Sequence, residues 1–166
     1  MLSGPKIIHA LKQGEISHVL SVPDIVTSDG LLWPISMDPD FELVRVCKED
    51  EAVSIAAALS FADIRSLVLI QNTGFMDSIN AIRVMAVEYN LPICLMVGLQ
   101  GIESDRLPHQ SEKYSVRICP PMADVMQIDH HLIRDDGDVS RITQEIDRAY
   151  TTPTPVTFVL GGAPSA

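Results

Sequence analysis

Apolar positions along the chain follow two periods. Ile7, Ile8 and Leu11 recur at helical spacing between Ser3, which can cap a helix with Pro5 in its first turn, and Gly14, which can end one. The spacing predicts an opening helix over residues 3–14. Residues 66–71, 92–97 and 155–160 are continuous apolar runs of strand length, the pattern of strands buried on both faces. Shorter runs predict strands at 18–22 and 41–46, and a weaker one at 129–133. Between them lie predicted helices over 49–61, where Ala56, Ala57 and Ala58 allow close packing, from a glycine-containing turn at 72–74 to about Tyr89, over 122–127 and over 139–151. After Val22-Pro23-Asp24 the chain reads as helical only in part up to Ile35, since Gly30 and Pro34 interrupt it. Residues 98–115 are polar, with glycine, proline and charges, and predict a long loop of the kind that often carries function.

Strands alternating with helices, with apolar runs in the central strands, predict an α/β fold: a doubly wound parallel sheet with helices on both faces, built as a single domain over residues 1–166. Such sheets bind ligands outside the carboxyl ends of their strands, where the strand order reverses. The informative turns are then those after Val22, Val46, Gln71 and Val97.

Composition narrows the partners. At 46% hydrophobic residues, 166 residues can bury one substantial core. The formal net charge of -10, with no basic run, argues against nucleic acid or an anionic membrane surface. No run approaches the roughly 20 apolar residues of a membrane span, so a cytoplasmic location is the expectation. Cys47, Cys94 and Cys119 form no C-x-x-C pair and read as reduced, buried thiols.

Three segments could carry chemistry. Glu49, Asp50 and Glu51 open a helix straight after a strand, where the helix dipole favours negative charge; first-turn acids contribute about 0.3 to 1 kcal/mol each without any further role. Gln71-Asn72-Thr73-Gly74 ends a buried strand; it suits either a ligand or an Asx-type turn with Gly74 at positive φ. His109 sits in the long loop and can transfer protons near neutral pH, although an exposed loop histidine is usually only a surface residue. No histidine shows metal-ligand spacing, and Asp135-Asp136-Gly137-Asp138 lacks the downstream glutamate of an EF-hand, so no metal ligands are assigned. Neither a phosphate loop nor a G-x-G-x-x-G pattern occurs.

Taken together in order, these segments resemble the α subunit of sulfopyruvate decarboxylase and the matching half of phosphonopyruvate decarboxylase, over about residues 1–160. The most specific piece is Gln71-Asn72-Thr73-Gly74-Phe75-Met76-Asp77-Ser78-Ile79-Asn80-Ala81, similar to that family's Q-N-S-G-L-G-N-S-x-N. Glu49-Asp50-Glu51-Ala52-Val53-Ser54-Ile55-Ala56-Ala57 is similar to its E-x-x-A-x-x-I-A-A helix start. The resemblance implies a domain that holds the aminopyrimidine of thiamine diphosphate. It makes Glu49 the glutamate that hydrogen-bonds ring nitrogen N1′ and favours the imino tautomer, with Glu51 at a variable position. Asn72, Thr73 and Gly74 would line the pyrimidine pocket, Pro23 and Asp24 would face the substrate, and His109 would match the histidine of a P-Q-H loop, with a spacing that allows a shift by one.

Departures qualify what the resemblance implies. Phe75-Met76 replaces Leu-Gly, and Gly98-Leu99-Gln100-Gly101 replaces S-x-R-G, so an arginine that could hold an acidic substrate tail is missing there. The G-D-G motif that marks the diphosphate and magnesium site is absent. A separate β subunit carrying that site, with Mg2+ bound mainly by it, is therefore expected, in an assembly of at least two α and two β chains acting on a small 2-oxo acid. A carboligase or lyase using the same cofactor, and a non-catalytic α/β scaffold subunit, stay open beside the decarboxylase.

Overall fold

The structure, a computed structural model, describes residues 2–166. Its sheet has six parallel strands: β1 (His18–Ser21), β2 (Glu42–Arg45), β3 (Ser66–Gln71), β4 (Cys94–Gly98), β5 (Asp129–Ile133) and β6 (Val156–Leu160), in the order β2-β1-β3-β4-β6-β5. The order reverses twice, between β1 and β3 and between β4 and β6. Two crevices at the carboxyl ends follow from this topology.

Side chains alternate between two cores, one on each face of the sheet. Val19, Leu67, Leu69, Met96 and Phe158 point to one; Leu20, Val68, Ile70, Leu95 and Val97 point to the other. Helices α1 (Gly4–Gln13) and α7 (Ser140–Thr151) cover the first face, together with a π-helical turn at Ser28–Leu32 that runs into the short α2 (Trp33–Ser36). The second is covered by α3 (Glu49–Phe61), by α4 (Asn72–Asp77) with its continuation α5 (Ile79–Ala81) and a π-helical segment Ile82–Glu88, and by α6 (Tyr114–Val125). The expected α/β architecture is thus present, with both faces of the sheet covered. Ser3 caps α1 by accepting from the Lys6 N–H, and Gly14 follows its last turn.

Three local expectations are corrected. Residues 72–74 form no turn: β3 passes directly into α4, Gly74 has no positive φ, and Asn72 bonds another loop instead of its own backbone. The helix expected over 122–127 begins at Tyr114, because Val116, Cys119 and Ala123 bury one face at helical spacing and carry Pro120 and Pro121 inside it. Here tertiary packing overrides a local breaker signal. Of the thiols, Cys94 and Cys119 are buried and Cys47 is exposed. Burial pushes the Cys94 and Cys119 thiols up to about 12.

Candidate functional site

The first crevice brings together the ends of β1 and β3 and the start of α3. Lys48, in extended conformation, precedes the three acids of α3, and each acid has a different environment. The Glu51 carboxylate accepts from the backbone N–H groups of Cys47 (3.0 Å) and Lys48 (3.3 Å), which satisfies donors that a helix start leaves open. Asp50 pairs with Lys48 at 3.7 Å, and Lys48 also reaches Asp77 at 3.6 Å. Asp50 and then Asp77 raise the Lys48 pKa above its ordinary value. Glu49 is left half-buried, with no hydrogen bond or ion pair among the described residues.

Gly74 explains how that carboxylate fits. In the first turn of α4 it lies against Glu49 so closely that a Cβ there would overlap the Glu49 carboxyl group. The glycine is needed for close approach, not for backbone conformation. Beside it, the fully buried Asn72 accepts from the Gln100 N–H at 3.0 Å through Oδ1, while its Nδ2 is buried without a partner. A buried amide donor left open costs about 1–3 kcal/mol, which favours a ligand acceptor at that place. Thr73, next in the same turn, is exposed.

Asp24 and Pro23 lie after β1. Asp24 is buried and holds its own turn: Oδ1 accepts from the N–H groups of Val26 (2.7 Å) and Thr27 (2.9 Å), and Oδ2 from the Thr27 hydroxyl at 2.6 Å. The Asp24 carbonyl oxygen accepts from Ser28 as well. Pro23 is exposed and lines a shallow hollow of about 350 Å³ with Asp24, Ile25, Ser28 and Asp29. Pro23 and Ile25 are the exposed side chains of this turn, with Asp24 as their anchor.

His109 is elsewhere. It opens a hollow of about 180 Å³ with Pro108, Arg117, Pro120, His130 and Val159, toward the β5–β6 edge. None of Glu49, Asn72 or Asp24 belongs to that wall. The structure therefore brings Glu49 against Gly74, two residues along α4 from the buried Asn72, and leaves His109 apart. Among the described residues no group of three or more His, Cys, Asp or Glu side chains could hold a metal ion.

Sequence reasoning missed the second crevice. A cleft of about 800 Å³ lies where the loops after β4, β5 and β6 meet the turn after β1, and Gln100, Arg134 and Gly161 are on its wall. The adjacent glycines 161 and 162 after the last strand were the available signal.

The fold is a doubly wound α/β domain with a crevice at each reversal of strand order. Its sequence is related to the α subunits of sulfopyruvate decarboxylase, as the ordered motifs lead one to expect. The subunit of Methanocaldococcus jannaschii is 31% identical over 104 residues, or 63% of this chain and 61% of that one. The subunit of Methanothermobacter thermautotrophicus is 28% identical over 108 residues, or 65% of each chain. A sulfopyruvate decarboxylase of Methanosarcina acetivorans is 26% identical over 106 residues, 63% of this chain but 26% of that longer protein. The match thus spans less than two thirds of these relatives' own lengths. No protein-family model matches the chain. Among solved structures, a 2-oxoglutarate:ferredoxin oxidoreductase from Magnetococcus marinus superposes with a TM-score of 0.70 at 13% identity, covering 98% of this chain and 29% of that one. At that identity it shares the fold alone. Among the described residues, no helix is long and apolar enough to cross a membrane.

Proposed function

We propose that this chain is the pyrimidine-binding α subunit of a two-chain, thiamine diphosphate-dependent 2-oxo acid decarboxylase. The observation that carries the reading is Glu49. Of three acids in one helical turn, two have structural partners, while the third lies uncommitted over a glycine, next to a buried amide donor without an acceptor. A ring with one basic nitrogen and one acceptor fits that donor set: Glu49 for the nitrogen, Asn72 Nδ2 for the acceptor, and the Gly74 backbone for close approach to the ring face. Relatedness to the α subunits supports the reaction class.

When bound, thiamine diphosphate would supply a nucleophilic carbon for the 2-oxo carbon and a cationic ring as sink for the electrons released with carbon dioxide. Glu49 would hydrogen-bond the aminopyrimidine nitrogen, its carboxylate favouring the tautomer in which the neighbouring amino group is basic. Asn72 would donate to the ring through Nδ2, while its Oδ1 holds the Gln100 loop. Pro23 and Asp24 would flank the substrate side, with Ile25 adding an apolar surface there. His109 requires movement of its loop, or the other chain, to reach the substrate. A β subunit would supply the diphosphate and Mg2+ site, a reading supported by the relatives that are themselves α subunits.

Calorimetric titration of thiamine diphosphate with Mg2+ tests this, into the chain alone and into its mixture with the candidate β chain. Binding in the mixture is expected, with turnover lowered by about 10²- to 10⁴-fold in Glu49→Gln at unchanged secondary structure. Full turnover in Glu49→Gln would overturn the assignment and leave a scaffold subunit.

A further inference from the structure

One amide at the first reversal of strand order has no partner of its own. Gln71 is the last residue of β3, half-buried, and its Oε1 is buried without a hydrogen-bond donor. Strand register fixes where this side chain goes. Gln71 pairs with Gly98 of β4, as Leu69 pairs with Met96, and residues so paired in a parallel sheet project to the same face. Leu69 and Met96 belong to the core under α1 and α7, while Ile70 and Val97 belong to the other, so Gln71 projects to the first face. A Cβ at Gly98 would stand 2.8 Å from Val26 Cγ1 and 3.0 Å from Thr27 Cγ2. The turn after β1 therefore packs on the sheet at this level, and Gln71 stands beside it, on the opposite face from α3.

The polar side chains within that turn are already engaged. Asp24 accepts from two backbone N–H groups and the Thr27 hydroxyl, and Ser28 donates to the Asp24 carbonyl. Ser21, paired with Leu69 at the end of β1, donates to the Leu69 carbonyl at 2.7 Å. What remains is a neutral amide with no protein donor at Oε1. Its terminal torsion is soft, so it can turn either its acceptor or its two donors outward. The hollow over the turn is lined by Pro23, Asp24, Ile25, Ser28 and Asp29, with two carboxylates and no basic residue. Neither carboxylate is in an ion pair among the described residues.

We propose that Gln71 is a specificity-determining residue of the substrate side, and that the 2-oxo acid it favours ends in a neutral hydrogen-bonding group, a hydroxyl or a carboxamide. The proposal rests on the decarboxylase reading. A group of that kind gives Oε1 a donor or takes one from Nε2, an exchange that an apolar tail cannot make. A negatively charged tail would lie against Asp24 and Asp29 with no cation in that hollow to offset them. Position 100, where the resemblance leads one to expect an arginine, is a glutamine. A site that hydrogen-bonds a hydroxyl rejects the methyl analogue, because the site's own polar group is then left unpaired.

Binding to the complex reconstituted with the candidate β chain tests this, with the α chain nitrogen-labelled for resonance measurements and the cofactor left out so that no acid turns over. Three acids are titrated in turn: 4-hydroxy-2-oxobutanoate, its methyl isostere 2-oxopentanoate, and 2-oxoglutarate with a charged tail. The Gln71 side-chain amide resonances, identified by their loss in Gln71→Leu, should shift with the hydroxy acid, which is expected to bind about tenfold or more tightly than the other two. In Gln71→Leu the hydroxy acid and 2-oxopentanoate should bind within about threefold of each other, at a thermal midpoint no lower than wild type, because the buried Oε1 has no bond to lose. Tightest binding by either other acid, a preference that persists undiminished in Gln71→Leu, or no binding of any of the three overturns the proposal. Failure of the decarboxylase reading shows separately, as no thiamine diphosphate binding and no carbon dioxide release from any of the acids once cofactor and Mg2+ are added.

Discussion

Replacing Gly74 with alanine separates a structural glycine from a functional one. Gly74 is helical with no positive φ, so alanine is compatible with its backbone and helix propensity favours it by about 0.5–1 kcal/mol. Against this stands the overlap of the new Cβ with Cγ and the carboxyl group of Glu49, relieved only if that side chain turns about its Cα–Cβ bond into another rotamer. A displaced rotamer costs about 0.5–1.5 kcal/mol. The two effects nearly cancel, and for a chain of this size each kcal/mol moves Tm by about 2–4 °C. The expected thermal unfolding midpoint of Gly74→Ala is therefore within about 4 °C of the wild-type value. Function should respond far more. Moving a catalytic carboxylate by about 1 Å costs about 10²-fold in rate. Turnover and thiamine diphosphate titration of the assembled complex read this, and in a Glu49→Gln background the same substitution should have little further effect, because both changes act on one group. Turnover of Gly74→Ala within about threefold of wild type, a tolerance far below that 10²-fold estimate, would refute the reasoning.

Three other outcomes are expected. Thr157, in β6, buries its hydroxyl without a hydrogen-bond partner, so Thr157→Val should raise stability by about 1 kcal/mol, read as a higher urea midpoint at unchanged slope. A thiol reagent should modify Cys47 alone in the native chain, and Cys94 and Cys119 only after unfolding, because burial both shields these thiols and keeps them protonated. Burial lowers the His131 pKa despite the nearby Glu145, so the unfolded chain binds this proton first as the pH falls. The stability that neutral His131 confers should be fully present above its ordinary value of about 6.5 and decline as the pH falls below it. Urea titrations at pH 7.5 and 5.5 should show a smaller loss in His131→Gln than in wild type.

Fold and site were legible in the sequence to different depths. The apolar runs of β3, β4 and β6 identify themselves because burial on both faces leaves no polar position, and α1 is bounded by its own cap and glycine. By contrast α6 was truncated in the sequence reading, since Pro120 and Pro121 are local breaker signals and the packing of Cys119 and Ala123 that outweighs them is nonlocal. Among the three acids of α3, spacing does not separate one from another; in the structure Glu51 caps the helix start and Glu49, without such a bond, lies against Gly74. For Gly74 the sequence offers either positive φ or close approach to a ligand; the structure shows no positive φ and a close contact with Glu49.

The sheet's two outer strands bear on how this chain meets another. β2 exposes Glu42 and Arg45 at its two ends, and β5 exposes Asp129 with His130 half-buried beside it, so both outer rows of backbone donors and acceptors are guarded by charge and are short. Such borders resist strand-by-strand extension, the route by which open sheets recruit copies of themselves or aggregate. That leaves the helical faces and the carboxyl-end surface where both crevices open, and a partner docked on the latter would roof those crevices instead of lengthening the sheet.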